Sequence, residues 1–327
     1  MRAWQASELG EPAQVLTAVE LDVPEPGPGQ ATVKVRAAPA NFPDVLMCRG
    51  KYQIRPDLPF TPGVELCGDV VAVGEGVDQV AVGERVYGTA ALPAGGFAEY
   101  ATITAAAAFR APDSLDDAQA SSLFIGYQTG WFALHRRAHL QAGETLLVHA
   151  AAGGVGSAAI QLGKAIGATV IGVVGGPEKA EVARKLGADV VVDRHAEDFV
   201  TVVKEQTGGR GADVIFDPVG GDTYRRSAKC VAFEGRIVLI GFAGGEIQEV
   251  ALNHALIKNY SIVGLHWGLY NQYDPAAVRQ CHEALTVLAD DGKIAPLVSE
   301  RLSFDEVPDG LQRLADGTTV GRVVYQA

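Results

Sequence analysis

The chain is poor in cysteine. Cys48, Cys67, Cys230 and Cys281 are the four in 327 residues, far apart and with no C-x-x-C pair. This spacing argues against a disulfide framework or a cysteine-built metal cluster and points to a reducing cytoplasm. Long runs of large apolar side chains are also missing. None approaches the ~18 residues of a membrane helix, and the opening MRAWQASELGEP has no apolar leader region, so no membrane association is expected. Positive charge is in deficit, with 27 Lys and Arg against 39 Asp and Glu and a net charge of −12. An acidic surface repels nucleic-acid backbones and anionic lipids, so neither is an expected partner. The seven histidines form no cluster, and no Ser-His-Asp pattern is present.

Glycine and proline are plentiful at 39 and 16, which implies many tight turns. Up to about residue 110 the chain reads as β-rich. QATVKVRAAPA alternates, GDVVAVGEGVDQVAVGERVYG gives Val-rich runs split by glycines, and GGFAEYATI adds another strand. The pattern then changes to alternation of strand and helix. Strands are predicted at Thr145–Ala150, Thr169–Val174, Asp189–Val192, Asp213–Phe216, Arg236–Gly241 and Ser261–Leu265. Helices are predicted at Val155–Ile166, Glu178–Leu186, Ala196–Gln206 and Asp222–Phe233, with a further helix at Pro275–Asp290. Strands spaced by single helices specify an α/β fold with a doubly wound parallel sheet.

The stretch VHAAAGGVGSAAIQLGKAIGA links the first of these strands to its helix. The G-x-G-x-x-G fingerprint of dinucleotide sites maps onto Ala151, Gly153 and Gly156, with alanine in the first place. Small residues there allow a tight turn, let a pyrophosphate reach the backbone N–H groups, and let the helix pack close to the sheet. Ala152, Gly153, Gly154, Val155 and Gly156 are therefore the expected phosphate-binding segment. An NAD site carries an acidic residue at the end of the second strand to hold the ribose 2′-hydroxyl. Here TVIGVV runs into GGPEK, so Gly175 stands where that acid would be. Lys179 and Arg194 are cations able to reach a 2′-phosphate at the same place. The expected cofactor is NADPH.

Taken together, NFPDVLMCRGKY, PFTPGVELCGDVVAVGEGV, GYQTGWFAL, HAAAGGVG, FDPVGG and the closing GRVVY resemble the zinc-independent quinone oxidoreductases of the medium-chain dehydrogenase/reductase superfamily, the zeta-crystallin-like group. The resemblance spans nearly the whole chain. It implies a GroES-like β-barrel catalytic domain over 1–123, a Rossmann NADPH-binding domain over 124–264, and a return to the catalytic domain over 265–327. Where the zinc-dependent cousins place metal ligands, this sequence has Asn41, Val64 and Ile125. Neither valine nor isoleucine ligates a metal, so no metal is expected.

Without a metal, a carbonyl must be polarised by hydrogen bonds. Asn41 reads two ways, as a helix N-cap in NFPD and, by the resemblance, as a catalytic amide near the nicotinamide. Tyr52 matches a family tyrosine lining the substrate pocket, and a phenol can pass a proton to an incipient enolate or hydroquinone. One departure weakens the transfer of quinone knowledge: some relatives have a tyrosine two residues after the Asp of this motif, where this chain has Leu46. Thr129, Val219, Phe242 and Arg322 are the remaining expected cofactor contacts. The implied activity is hydride transfer from NADPH to a quinone or α,β-unsaturated carbonyl. Reduction of an enoyl thioester, or nucleotide binding without turnover, stand as alternatives. A homodimer through SIVGLHW is implied by the resemblance.

Overall fold

Alternating apolar residues make the first part of the chain a set of strands. The computed structural model describes residues 1–327. β1 (Arg2–Ala6) pairs antiparallel with β2 (Leu16–Glu20) around α1 (Pro12–Val15). β3 (Gln30–Pro39) buries Ala31, Val33 and Val35 and turns Lys34 and Arg36 outward, the period-two pattern of a half-buried strand. α2 (Phe42–Cys48) follows, then β4 (Glu65–Val73), β5 (Arg85–Ala90), β6 (Tyr100–Arg110) and α3 (Asp117–Ser121). β3 pairs with both β4 and β6, and β5 bridges β4 to β6, so the four strands close into a barrel. Closure removes the exposed edges an open sheet would leave.

The second part alternates as expected. After α4 (Phe124–Trp131) and a wider π turn at Phe132–Arg137 come β7 (Thr145–Val148), α5 (Gly154–Ile166), β8 (Thr169–Val174), α6 (Pro177–Lys185) and β9 (Val190–Asp193). Then follow α7 (Phe199–Gln206), β10 (Ala212–Asp217), α8 (Asp222–Ser227), β11 (Val231–Leu239), α9 (Leu252–Lys258) and β12 (Ser261–Gly264). α10 (Tyr270–Tyr273) and α11 (Pro275–Asp290) complete it. The six strands pair in parallel in the order β12-β11-β10-β7-β8-β9. The order reverses at β7, which is the Rossmann arrangement.

The helix expected over Asp222–Phe233 ends at Ser227. The chain turns through Ala228–Cys230, and the Cys230 carbonyl accepts from the Ala212 amide (2.9 Å), which draws Val231 into the sheet beside β10. The apolar run Val231, Ala232, Phe233 is therefore strand, followed within β11 by Glu234 at φ 56°.

α12 (Val307–Ala315) lies between β13 (Val298–Leu302) and β14 (Arg322–Gln326) in the last part, and these two strands extend the barrel sheet through pairing of β14 with β3. Two compact units result, Met1–Ile125 with Ala295–Ala327, and Gly126–Ile294. The second unit runs to Ile294, beyond the boundary drawn at 264. Tyr270 stacks on Phe132 with ring centroids 4.2 Å apart, Asp274 pairs with Arg136 (2.8 Å), and α11 buries Val278, Cys281 and Leu285. These contacts hold 265–294 to the parallel-sheet unit.

Candidate functional site

In the parallel-sheet unit, β7 ends at Val148 and the chain turns into α5. His149 is buried in this turn, with Nε2 2.8 Å from the Ser227 hydroxyl and its ring edge-on to Phe199. Burial pushes its imidazole down to about 3, so it is neutral at physiological pH. The left-handed residue of the turn is Ala150 (φ 49°), one place before the alanine that the fingerprint alignment singles out. Ala151 packs over Gly172 of β8, where an added Cβ would lie 3.1 Å from the Ala151 Cβ. A Cβ on Gly156 would lie 2.2 Å from the Ala150 carbonyl oxygen, so this position tolerates no side chain. Gly153 caps α5 in extended backbone with no side-chain cap. The first N–H groups of the helix are thus open to an anion, with the positive end of the helix dipole behind them. Ala152, Gly154 and Val155 line the same turn, and Gly154 is close to Gly126 of α4.

At the end of β8, Gly175 has no side chain, and the side chains of Arg194 and His195 stand close to it. A Cβ added there would lie 3.0 Å from His195 Nε2, 3.1 Å from Arg194 Nε and 3.2 Å from Arg194 Nη2. Arg194 and Gly175 are brought together, and His195 joins them. Asp193 shapes this corner through its backbone contacts: its carboxylate accepts from the amides of Gly176 (2.9 Å) and His195 (3.0 Å), which hold its carboxyl below the usual range. Lys179 stands on the first turn of α6, half-buried.

Val219 and Phe242 follow β10 and β11 at the carboxyl ends of the sheet, where ligands bind in such folds. Their loops are joined by a hydrogen bond from the Gly244 amide to the Val219 carbonyl (2.9 Å). Phe242 is partly exposed, and its ring leaves no room for a side chain on Gly220. Asp217, at the tip of β10, accepts from the amides of Val219 (2.9 Å) and Gly220 (3.0 Å), while its other carboxylate oxygen is buried and unpartnered. Burial raises its carboxyl. Thr129 is buried in α4 beside Gln128, whose amide is also buried without a partner.

The barrel unit holds a second polar cluster. Asn41 occupies the N-cap position of α2, yet its side chain does not cap. Its Nδ2 donates to Glu65 (2.9 Å) and to the Pro39 carbonyl (3.2 Å), and its Oδ1 accepts from Arg322 Nη1 (3.0 Å). Both amide hydrogens are engaged, so Asn41 is not poised to donate to an acceptor carbonyl. Arg322 Nη2 donates to Glu65 at 2.7 Å, and Glu65 also accepts from the Ile125 amide at 2.8 Å. Exposure is 3% for Asn41, 0% for Glu65 and 6% for Arg322. Burial raises the Glu65 carboxyl, and Arg322, Asn41 and the Ile125 amide oppose that rise. Asp44 does the capping: it accepts from the amides of Asn41 (2.9 Å), Gly63 (2.9 Å) and Val64 (3.0 Å). Burial nonetheless pushes it up to about 6.

Tyr52 lies outside this cluster, half-buried against the barrel core. Its carbonyl accepts from Arg55 (3.5 Å). Burial and the nearby Asp44 charge raise its phenol, so it is a neutral donor.

The sequence-derived residues thus fall at the Gly-rich turn after β7, the corner at Gly175, the loops after β10 and β11, and a buried barrel cluster, with Thr129 in α4 and Tyr52 apart from these. Glu65, His195 and Asp217 belong to these groups and were not singled out from sequence. Glu65 had a signal, an acid within the apolar GVELCG. His195 had none beyond standing next to Arg194. Residue chemistry also bears on zinc: no three His, Cys, Asp or Glu side chains converge on a metal site, and Cys48 and Cys67 are buried thiols pushed up to about 12. These residues do not fit a zinc ion.

Comparison with known proteins gives the family. Residues 27–113 match the alcohol dehydrogenase GroES-like domain, and residues 154–294 match the zinc-binding dehydrogenase domain. A quinone oxidoreductase-like protein 2 homolog of Nematostella vectensis is 38% identical over 99% of this chain and 88% of its own length. The crystal structure of Escherichia coli quinone oxidoreductase complexed with NADPH superposes with a TM-score of 0.91 at 31% identity, covering all of both chains. A phthioceranic/hydroxyphthioceranic acid synthase of Mycobacterium bovis is 39% identical over 91% of this chain, which corresponds to 14% of that much longer protein. With its Rossmann sheet and GroES-like barrel, the chain belongs to the quinone oxidoreductase family of the medium-chain dehydrogenase/reductase superfamily.

Proposed function

We propose that this protein is an NADPH-dependent reductase acting on a quinone or an α,β-unsaturated carbonyl compound. The observation that carries the reading is the corner at Gly175. An acid that would hold a 2′-hydroxyl is replaced by open backbone, and the Arg194 guanidinium stands against that point. A carboxylate there would repel a 2′-phosphate, whereas guanidinium matches its geometry and charge. The uncapped start of α5 suits the pyrophosphate. The NADPH carried by the E. coli relative supports the same choice. The family's oxidoreductase chemistry supplies the reaction class.

When bound, the reduced nicotinamide supplies a hydride. Addition of hydride to the acceptor leaves an electron pair on its oxygen, and a proton must follow. Tyr52 is the better donor in this chain, because its phenol stays protonated and Asn41 is committed to Glu65 and Arg322. Asn41, Glu65 and Arg322 act as positioning residues that fix the start of α2. The second reading, an enoyl thioester as acceptor, is favoured by the 39% identity to the synthase segment. The active form is proposed to be a homodimer, because the edge strand β12 is flanked by the exposed apolar side chains of α9.

The test is oxidation of NADPH and NADH, followed by absorbance, against 1,4-benzoquinone, 9,10-phenanthrenequinone, an enone and crotonyl-CoA. Turnover with NADPH well above NADH is expected, with the best acceptor naming the class. Gly175→Asp should lower kcat/KM for NADPH by at least about tenfold while sparing NADH, since like charges set side by side cost several kcal/mol. Equal use of both cofactors by the unaltered enzyme would overturn the reading.

A further inference from the structure

The corner at Gly175 contains a titratable group that the charge argument above does not use. His195 Nε2 lies 3.0 Å from the position of a Cβ on Gly175, as close as the Arg194 guanidinium at 3.1 Å. Two side chains from the turn after β9 thus converge on the same point at the end of β8. Their placement is fixed by the backbone. The Arg194 amide donates to the Val174 carbonyl (2.9 Å), and Asp193 binds the amides of both Gly176 and His195. The two turns are therefore tied together, and the His195 ring stands beside Gly175.

We propose that His195 is a direct ligand of the cofactor 2′-phosphate and a determinant of specificity, so that discrimination between NADP and NAD depends on pH. The inference rests on the NADPH reading and adds a second, switchable contact to it. Histidine side chains change charge within the pH range 5 to 8, whereas arginine does not. Arg194 gives discrimination at every pH. Protonated His195 adds a charge-assisted hydrogen bond that a neutral imidazole supplies more weakly. Arg194 and Asp193 are the charged neighbours on its own turn, with Glu197 two residues on, and Glu178 and Lys179 stand on the first turn of α6, the helix that follows Gly175 and Gly176. A bound 2′-phosphate brings up to two negative charges to this corner.

The phosphate's own ionisation runs the other way. A phosphate monoester gains its second charge near pH ~6, which strengthens binding to fixed cations as pH rises. The two effects are separated by substitution. Dissociation constants for NADP⁺ and NAD⁺, both stable in acid, are measured by titration calorimetry from pH 5.5 to 8.5 on the unaltered protein, His195→Gln and Arg194→Gln. In the unaltered protein the ratio Kd(NAD⁺)/Kd(NADP⁺) should fall about threefold or more from pH 6 to 8.5, the size of one solvent-exposed charge-assisted contact. In His195→Gln the ratio should stay level or rise over that range. Arg194→Gln should lower the ratio at every pH and keep the fall. His195 is exposed, so its variant should melt with the parent when no cofactor is present. If the unaltered protein shows no preference for NADP⁺ at any pH, the NADPH reading itself fails. If it prefers NADP⁺ but His195→Gln keeps the same pH profile, this inference fails and the NADPH reading stands.

Discussion

Glu65 and Arg322 put two opposite charges where water does not reach. Removing both from water is expensive, and their attraction offsets this only when the remaining polar atoms are also satisfied. Glu65 meets that condition with Asn41 and the Ile125 amide, while Arg322 Nε is left without a partner. The pair therefore adds little net stability as a pair, yet each member is costly to remove alone. Arg322→Met should destabilise the barrel unit by about 3–5 kcal/mol, because it strands a buried carboxylate. Adding Glu65→Gln to that variant should recover most of the loss. Urea unfolding of the two variants checks this; equal midpoints for the single and double variants would refute it. Arg322 and Glu65 are 257 positions apart in sequence, which explains why Arg322 reads from sequence as a cofactor contact. No periodicity pairs residues at that distance, and a lone basic residue in a closing strand carries no mark of its partner. Asn41 misleads for a related reason. NFPD has the composition of a cap, and the cap exists, but it is the Asp44 carboxylate that accepts from the Asn41 backbone N–H, while the Asn41 side-chain amide donates to Glu65.

The Gly-rich turn between β7 and α5 was legible as an element because steric demands act on neighbouring residues. Gly156 is dictated by the Ala150 carbonyl oxygen at 2.2 Å from its missing Cβ, whereas at Gly153 the same oxygen is 3.2 Å away. Gly156→Ala should force α5 away from the strand end and weaken NADP⁺ binding at least about tenfold, a loss of about 1.4 kcal/mol. Gly153→Ala should cost clearly less. Calorimetric titration of both variants decides it, and equal losses would contradict the packing argument. The same turn carries His149, whose ionisation affects stability. Its folded-state value near 3 lies below the ordinary ~6.5. Between those limits the unfolded chain binds the proton and the folded one does not, so stability is lost as pH falls through 6.5 toward 3. The slope from this one group is at most about 1.4 kcal/mol per pH unit. His149→Gln should lower stability at pH 7.5 and flatten the acid loss. Trp131 and Trp267 report this unit once Trp4 is replaced by Phe. His282, pushed down to about 4 by burial, has the same sign and leaves a residual slope. An acid slope unchanged by the substitution would show that His149 is not the group responsible. The sequence marked the strands well where β-branched residues dominate, as in TVIGVV. It misled at Cys230–Phe233, where apolar residues after α8 suit either a helix face or a strand and the turn at Ala228–Cys230 decides.

At the scale of the whole molecule, the parallel sheet must end somewhere, and its two edges differ. β9 ends in the polar corner of Asp193, Arg194 and His195. β12 is a four-residue strand of Ser261, Ile262, Val263 and Gly264, paired on one side with β11 only. Just before it, α9 packs Ala255 inward and leaves Leu252, Leu256 and Ile257 each more than 70% exposed. An unpaired edge beside exposed apolar side chains is a surface that natural proteins cover. The net charge of −12 opposes association of two copies over long range, so burial of this edge must overcome that repulsion. The two forces respond differently to salt, because screening weakens the repulsion and leaves apolar burial intact. Light scattering should therefore give twice the 34.2 kDa chain mass, with dissociation on dilution suppressed as salt rises from 50 to 500 mM. Leu256→Lys with Ile257→Lys should give a monomer with an unchanged fold, read by circular dichroism. A monomer mass for the unaltered chain at every salt concentration would show that this edge stands uncovered, and a dimer that survives the double substitution would move the interface elsewhere.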